Sequence, residues 1–417
     1  MVKPGYKQTE IGVFPEDWDV LPMKSLTTLM TNGFVGTIKS EYVPAGTGVL
    51  YLQGFNIQEN AFDLTGVTYV SQEFHKKHLK SELKKHDLLT VQTGEIGVTA
   101  FLPEEYKGAN CQALIISRFL DNYDARFWSY YFNSIGRKSL TLIETGTTMK
   151  HINVGDMKEV LVPVPALKTE QTHIAEMLSD VDQMIASFEK LLLKKKAIKQ
   201  GAMQELLTGK KRLPGFSGEI TYQPLKSLCT VFSDGDWIES KDQSSDGIRL
   251  IQTGNVGNGR YIDKQEKQRF ISVDTFNRLN CLEIFEGDVL ISRLPDPAGR
   301  ACILPPSNKR RITAVDCTVV RFSSYNPVLF VAYSQTKLYQ EKVEMAMAGS
   351  TRQRISRKEL GEIPIPVFPT IEEQNTVASI FANMDAEIEA LEQKLAKYRQ
   401  VKQGMMQQLL TGKIRLV

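Results

Sequence analysis

The chain has 417 residues, 42% of them hydrophobic and 24% charged, enough for about two or three ordinary globular domains. Its 51 lysines and arginines nearly balance 48 aspartates and glutamates; a net charge of +3 permits nucleic-acid binding without arguing for it and excludes polybasic character. No run approaches the roughly 18 apolar residues of a membrane span and the first residues lack a signal-peptide core, so a cytoplasmic protein is expected.

Taken in chain order, "GVLYLQ" (48–53) and "DLLTVQT" (87–93) read as strands bounded by Gly, Asn and Asp clusters. Between them "HKKHLKSELKKH" (75–86) is a dense basic stretch. "ARFWSYYFNSIGRKSL" (125–140) reads as helix. After Pro163 and Pro165 a long helix is expected from about Glu170 to Leu207, with Thr169 at its start. Its apolar residues recur in steps of four and three: Ile174, Leu178, Val181, Ile185, Phe188, Leu192, Ala202 and Leu206. The second half repeats the order. "IRLIQTGNV" (248–256), "GDVLISR" (287–293) and "CTVVRF" (317–322) read as strands, "PVLFVAYSQTKLYQEKV" (327–343) as helix, and "KRR" (309–311) and "RQRISRK" (352–358) as basic stretches. A second long helix follows Pro366 and Pro369, with Thr370 and Glu373 as a capping box. Its stripe is Val377, Phe381, Met384, Ile388, Leu391, Leu395, Tyr398, Met405 and Leu409. Lapses at Lys195, Lys199 and Lys402 interrupt coiled-coil seams in one shared heptad register. The run "LLLKKKAIK" (191–199) reads first as a solvated face and second as a partner or phosphate patch.

The repetition organises the chain. "QGAMQELLTGK" (200–210) and "QGMMQQLLTGK" (403–413) agree at nine of eleven positions, and the offset of 203 holds without a gap from Gly146/Gly349 to Leu213/Leu416. "PMKSL" (22–26) matches "PLKSL" (224–228). Between these anchors only islands survive, "KHDLL" (85–89) against "EGDVL" (286–290) and "SRF" (117–119) against "VRF" (320–322). The chain is thus two copies of one unit, each an α+β domain with a twisted, mainly antiparallel sheet followed by a long helix. Helices of roughly 55 Å have each other as the obvious partner, antiparallel if the domains lie at opposite ends. Gly209 and Gly412 suit the left-handed helix cap. Gly201 and Gly404 lie inside the helices, where each costs about 1 kcal/mol relative to Ala; close approach of another backbone or simple inheritance accounts for them.

Three polar loops recur in the dissimilar parts. In the first copy they hold Gln53 and Asn56, then Thr93 and Glu95, then Lys150 and His151. In the second they hold Gln252, Asn255 and Arg260, then Arg293 and Arg300, then Arg352, Gln353 and Arg354. Gln, Asn and Arg suit base edges in a major groove, and Lys and Gly-flanked amides suit phosphates; ordinary turn chemistry uses the same residues.

No catalytic constellation stands out. There is no P-loop or G-x-G-x-x-G and no Asn/Asp-Pro-Pro-aromatic tetrapeptide, since "NPVLF" (326–330) lacks the second proline. "LPDP" (294–297) has no Asp/Glu-x-Lys after it. Five cysteines (Cys111, Cys229, Cys281, Cys302, Cys317) form no C-x-x-C pair and read as reduced and mostly buried. No metal site is expected.

"TEIGVFPEDWDV" near the start, "PVPALKTEQTHIAEML" and "PIPVFPTIEEQNTVASIF" before the helices, and the doubled "QQLLTGK"-type ending resemble the specificity subunit of type I restriction–modification systems. The resemblance implies two target-recognition domains, 1–160 and 214–363, and two helical spacers, 161–213 and 364–417. Each domain would read one half of an interrupted DNA target. The spacers would form an antiparallel coiled coil with pseudo-two-fold symmetry and dock two modification (methyltransferase) subunits; a restriction motor subunit would complete the nuclease. S-adenosylmethionine, ATP and Mg would then belong to partner subunits, with no cofactor in this chain. Half-sites about one helical turn apart on one DNA face follow, with helix length setting the gap. A self-sufficient methyltransferase or nuclease, and a coiled-coil scaffold that binds no DNA, are the alternatives.

Overall fold

A computed structural model describes residues 3–146, 150–295, 297–347 and 354–417. The chain divides into two compact units, Met1–Glu189 with Lys394–Val417, and Lys190–Gln393. Each unit therefore holds one globular domain and one stretch of each long helix.

In the first domain, buried Leu- and Ile-rich strands Leu88–Val91 and Leu114–Phe119 form the middle of an antiparallel sheet flanked by Thr99–Phe101 and Thr27–Asn32. A second sheet orders Asn110–Cys111, Val49–Leu52, Thr68–Val70 and Tyr42–Val43, its first pair parallel. The second domain repeats the plan. Cys229–Asp234, Cys317–Phe322, Val289–Ser292 and Ala301–Ile303 form the antiparallel sheet, and Ile248–Ile251 pairs parallel with Arg311–Thr313 inside a five-stranded one. Each domain thus divides its strands between two larger sheets and smaller two-stranded pairs rather than forming one sheet. All five strand expectations fall on strands. The two helical expectations each break once. Ala125–Phe132 stops at Asn133, whose side chain ties to the Thr99 backbone, and Pro327–Ser334 stops where Thr336 caps the next helix through the Tyr339 N–H.

The surviving islands are one structural device used twice. Asp87 accepts both Nε and Nη2 of Arg118 at 2.7 Å, and Asp288 accepts the same pair from Arg321 at 2.7 Å. Each aspartate also accepts a nearby backbone N–H, from Lys84 and from Phe285. Such bidentate pairs are strong and directional. The Arg118 and Arg321 strands share an irregularity facing Thr28 and Thr230, whose hydroxyls donate to the Arg118 and Arg321 carbonyls. The divergent domains therefore keep a common set of backbone-directed bonds. Their cysteines are free thiols, all buried except half-buried Cys229. Burial pushes Cys229 and Cys302 up to about 12 and Cys281 and Cys317 up to about 11, so none is a ready thiolate.

The long helices run Lys168–Leu206 and Ile371–Leu409. Thr169 lies inside the first turn rather than at the cap. Thr370 caps the second helix through the Glu373 N–H, but the Glu373 carboxylate is taken by Arg212. No residue of either heptad stripe is exposed. Gly209 and Gly412 adopt φ of 75° and 66°, the left-handed cap. Within each unit the helices pair antiparallel, and matched positions make matched contacts. In the first unit Lys402 meets Asp182 at 2.5 Å and Arg399 meets Glu189 at 2.6 Å. In the second unit the equivalent Lys199 meets Asp385 at 2.5 Å and Lys196 meets Glu392 at 2.6 Å. The seam lapses are cross-helix ion pairs, and Lys195 joins them through Glu387. Six of the nine residues of "LLLKKKAIK" are exposed, in keeping with a solvated face, and the reading fails at Lys199, which is buried against the other helix. A further matched pair locks each helix start: Arg415 holds Glu170, and Arg212 holds Glu373. In the first unit this lock also takes Asp17 and the Trp18 indole N–H. Side-chain hydrogen bonding from Arg415 holds the Asp17 carboxyl below its usual range. A Cβ on Gly201 or Gly404 would meet nothing within 4 Å among the described residues, so no described backbone of this chain makes the close approach.

Candidate nucleic-acid interface

The three polar loops come together at one end of each domain. In the first, Thr93 bridges His151 as an isolated antiparallel pair, and the Ile152 N–H donates to the Gln92 carbonyl. Gly54 of the first loop lies against the Thr93 carbonyl. Together they open a cleft of about 790 Å³ lined by Gln58, Glu59, Thr93, Glu95, Arg137, Glu144 and Lys150, among others. The cleft mixes charges. Lys150 pairs with Glu144 at 3.1 Å, Glu95 is exposed, and Arg137 Nη1 is enclosed without a hydrogen-bond partner among the described residues. Carboxylates accept from a cytosine amino group and a guanidinium donates to a guanine edge, so this wall carries groups complementary to base edges.

The second domain joins its loops the same way, with the Ile355 N–H donating to the Arg293 carbonyl. Here the polar groups serve cohesion. Arg300 spans the first two loops, donating Nε to the Val256 carbonyl, Nη2 to Thr253 and Nη1 to Leu294 and Pro297. Asp316 lies 3.6 Å from Arg293 and 3.3 Å from Arg354. Trp237 stands 70% exposed.

Three expected base contacts are corrected by burial. Asn56 is fully buried; it accepts the Gln53 N–H and donates to the Asp63 carbonyl. Asn255 does the same with Gln252 and Ile262. Arg293 is 4% exposed beside Asp234 and Asp316. These side chains build the loops and leave nothing to offer a base. Gln53 donates to Tyr42 and Thr68 hydroxyls, and Gln252 is half-buried at the matched loop start. Arg260 points instead to the second long helix, 3.3 Å from Glu392. Arg352 and Gln353 lie outside the described residues. Arg137 and Trp237 were missed: Arg137 opens a short helix, and Trp237 sits in the stretch "SDGDWIES" (233–240), whose Ser, Asp and Gly are the signal that could have found it. Among the described residues no three His, Cys, Asp or Glu side chains gather as metal ligands, and no helix is long and apolar enough to cross a membrane.

The model of the type I restriction modification DNA specificity domain matches residues 15–198 and again 219–398. The chain belongs to this family. The specificity subunit of the type I restriction enzyme MjaVIII from Methanocaldococcus jannaschii is 23% identical over 96% of this chain and 94% of that protein. The crystal structure of a type I restriction–modification S subunit from M. genitalium superimposes with a TM-score of 0.62, at 17% identity, over 94% of this chain and 96% of that one. A chain from a structural study of complex assembly and conformational transition of the type I R-M system gives a TM-score of 0.55 at 16% identity, covering 96% and 99%. The two family matches coincide with the two copies seen as an internal repeat. The chain is a type I specificity subunit with two tandem recognition domains joined to long antiparallel helices.

Proposed function

We propose that each globular domain reads one half of a bipartite DNA target through its converged loops, and that the matched helices dock two methyltransferase subunits. The observation that carries this is the contrast within one repeat. Three helix ion pairs recur at matched positions, while the loop ends differ: an open charged cleft in the first domain, an internally tied cluster in the second. Two like partners need two like surfaces, and two unlike half-sites need two unlike readers. Cleft-lining Thr93, Glu95, Lys150 and Arg137, with half-buried His151 bridged to Thr93, are the reading candidates of the first domain. Arg354, Trp237 and Gln252 are those of the second. The chain acts as a non-catalytic recognition subunit in the cytoplasm, with S-adenosylmethionine, ATP and Mg bound by its partners and a restriction subunit completing the nuclease. Single-molecule methylome sequencing of a host carrying this chain with its modification partner tests the reading. A bipartite methylated motif absent from a host lacking the chain is expected; methylation independent of the chain sinks it.

A further inference from the structure

Two arginines of the second domain are buried side by side. Arg249 and Arg311 are direct register partners in the parallel strand pair, and they are 7% and 6% exposed. Arg249 donates Nη2 to Asp263 at 3.0 Å, while its Nε is enclosed without a partner among the described residues. The Arg311 guanidinium has no hydrogen bond or ion pair among the described residues. Glu286 and Asp288 act on it only through space, and Asp288 is spent on Arg321. Arginine does not shed its proton, so of two buried guanidinium charges one is paired, with half-exposed Asp263, and the other is not. A buried charge without a partner is costly.

The fold does not require this arrangement. The loop at Gln53 and Asn56 matches that at Gln252 and Asn255, which sets Leu50 at the position of Arg249. The parallel register of Tyr51 with Asn110 then sets Ala109 at that of Arg311. The first domain forms the same strand pair with two apolar side chains. Tyr261 lies within electrostatic reach of both arginines. Burial keeps its phenol protonated, so it is available as a donor.

We propose that Arg249, Arg311 and Tyr261 form an oxyanion site that takes a phosphate group, whether a backbone diester of DNA or free phosphate. Enclosed fork donors on adjacent strands suit planar, multidentate capture of such a group.

The test compares the full chain with the variant R249L/R311A, which carries the first domain's residues at both positions. Thermal unfolding is read in sodium phosphate and in sodium chloride at matched ionic strength. DNA affinity is read with the modification partner present, as a function of salt, on a duplex bearing the methylated motif. If the occupant is a DNA phosphate, the variant's salt dependence flattens by about 0.9 per lost contact, roughly 3.5-fold over a fourfold salt range, with sequence preference unchanged. If the occupant is free phosphate, it raises the wild-type midpoint above that in chloride, not the variant's, and the DNA slopes coincide. Wild type indifferent to phosphate together with equal DNA slopes overturns the site. Should the double variant fail to fold, Arg311→Ala alone is read in the same assays. The DNA arm rests on the function proposed above and the phosphate arm does not. Loss of sequence preference in the wild type would count against that function and leave the phosphate result standing.

Discussion

At the scale of single residues, the islands "KHDLL"/"EGDVL" and "SRF"/"VRF" were visible as matched letters. Their reason was not, because the bond joins residues 31 and 33 positions apart and periodicity carries no signal across such a gap. Asp87 is fully buried, and Arg118 is 22% exposed at its side chain. Replacing Asp87 by Ala strands a partly buried guanidinium and a backbone N–H. A loss of about 2–4 kcal/mol is expected from urea unfolding. Asp288→Ala should cost less, because Arg321 is 37% exposed and reaches water more readily. A cost near zero at Asp87 would mean the pair is ornamental. The same scale shows why Asn56 and Asn255 misled. Sequence reports a polar side chain in a loop, but not that its amide turns inward to close that loop. Arg137 failed oppositely, being a cleft residue that opens the short helix Arg137–Leu142 inside a stretch read only as helix.

At the scale of elements, the long helices were legible almost to their ends because heptad periodicity is sustained over 39 residues in each. The lysines in the seam read as defects, since a one-dimensional stripe does not show the acid opposite. Lys199 is 9% exposed at its side chain and Asp385 51%. A double-mutant cycle with Lys199→Ala and Asp385→Ala should return a coupling of about 1 kcal/mol. Coupling within error of zero would show that the two helices do not share this bond in solution. Glu392 adds a pH signature. Side-chain hydrogen bonding from Lys196 holds its carboxyl below the usual 4.5, against the opposing effect of burial. A depressed folded-state value means the contribution is complete above about 4.5 and is lost as pH falls through the lower, folded value. Glu392→Gln should therefore remove part of the acid-side fall in thermal midpoint, leaving less difference between pH 5 and pH 3 than in wild type. A Cβ on Gly201 or Gly404 would point into open space, with nothing within 4 Å among the described residues. Alanine at either should stabilise the free chain by about 1 kcal/mol. If a methyltransferase subunit packs on that face, the same alanines should weaken its binding in a pull-down titration, which a merely tolerated glycine would not.

At the scale of the whole molecule, the constant offset of 203 announced two units, and the matched ion pairs show what the constancy preserves. The letters between the anchors did not show how each domain would present its loops, because the two loop ends use the same residue types for opposite ends: an open cleft in one, internal ties in the other. Division of labour between domains is then a claim about independence. Exchanging residues 22–150 for the corresponding stretch of another specificity subunit tests it. The cut begins where the strand Asp19–Pro22 ends and stops before His151, so Asp17, Trp18, Glu170 and Arg415 stay in place. The strand Leu161–Val164 keeps its partners Asp19, Val20 and Leu21, and the helix-to-helix contacts described above survive. All first-domain loops up to Lys150 are replaced. The methylated motif in cells should change in one half only and keep the other half letter for letter, with the spacing between halves unchanged. A motif altered in both halves would mean that the domains do not read separately. A motif lost altogether, with the exchanged chain still folded and bound to its partner, would mean that reading depends on contacts between loops and helices specific to each domain. Either result would replace two independent readers with one composite surface.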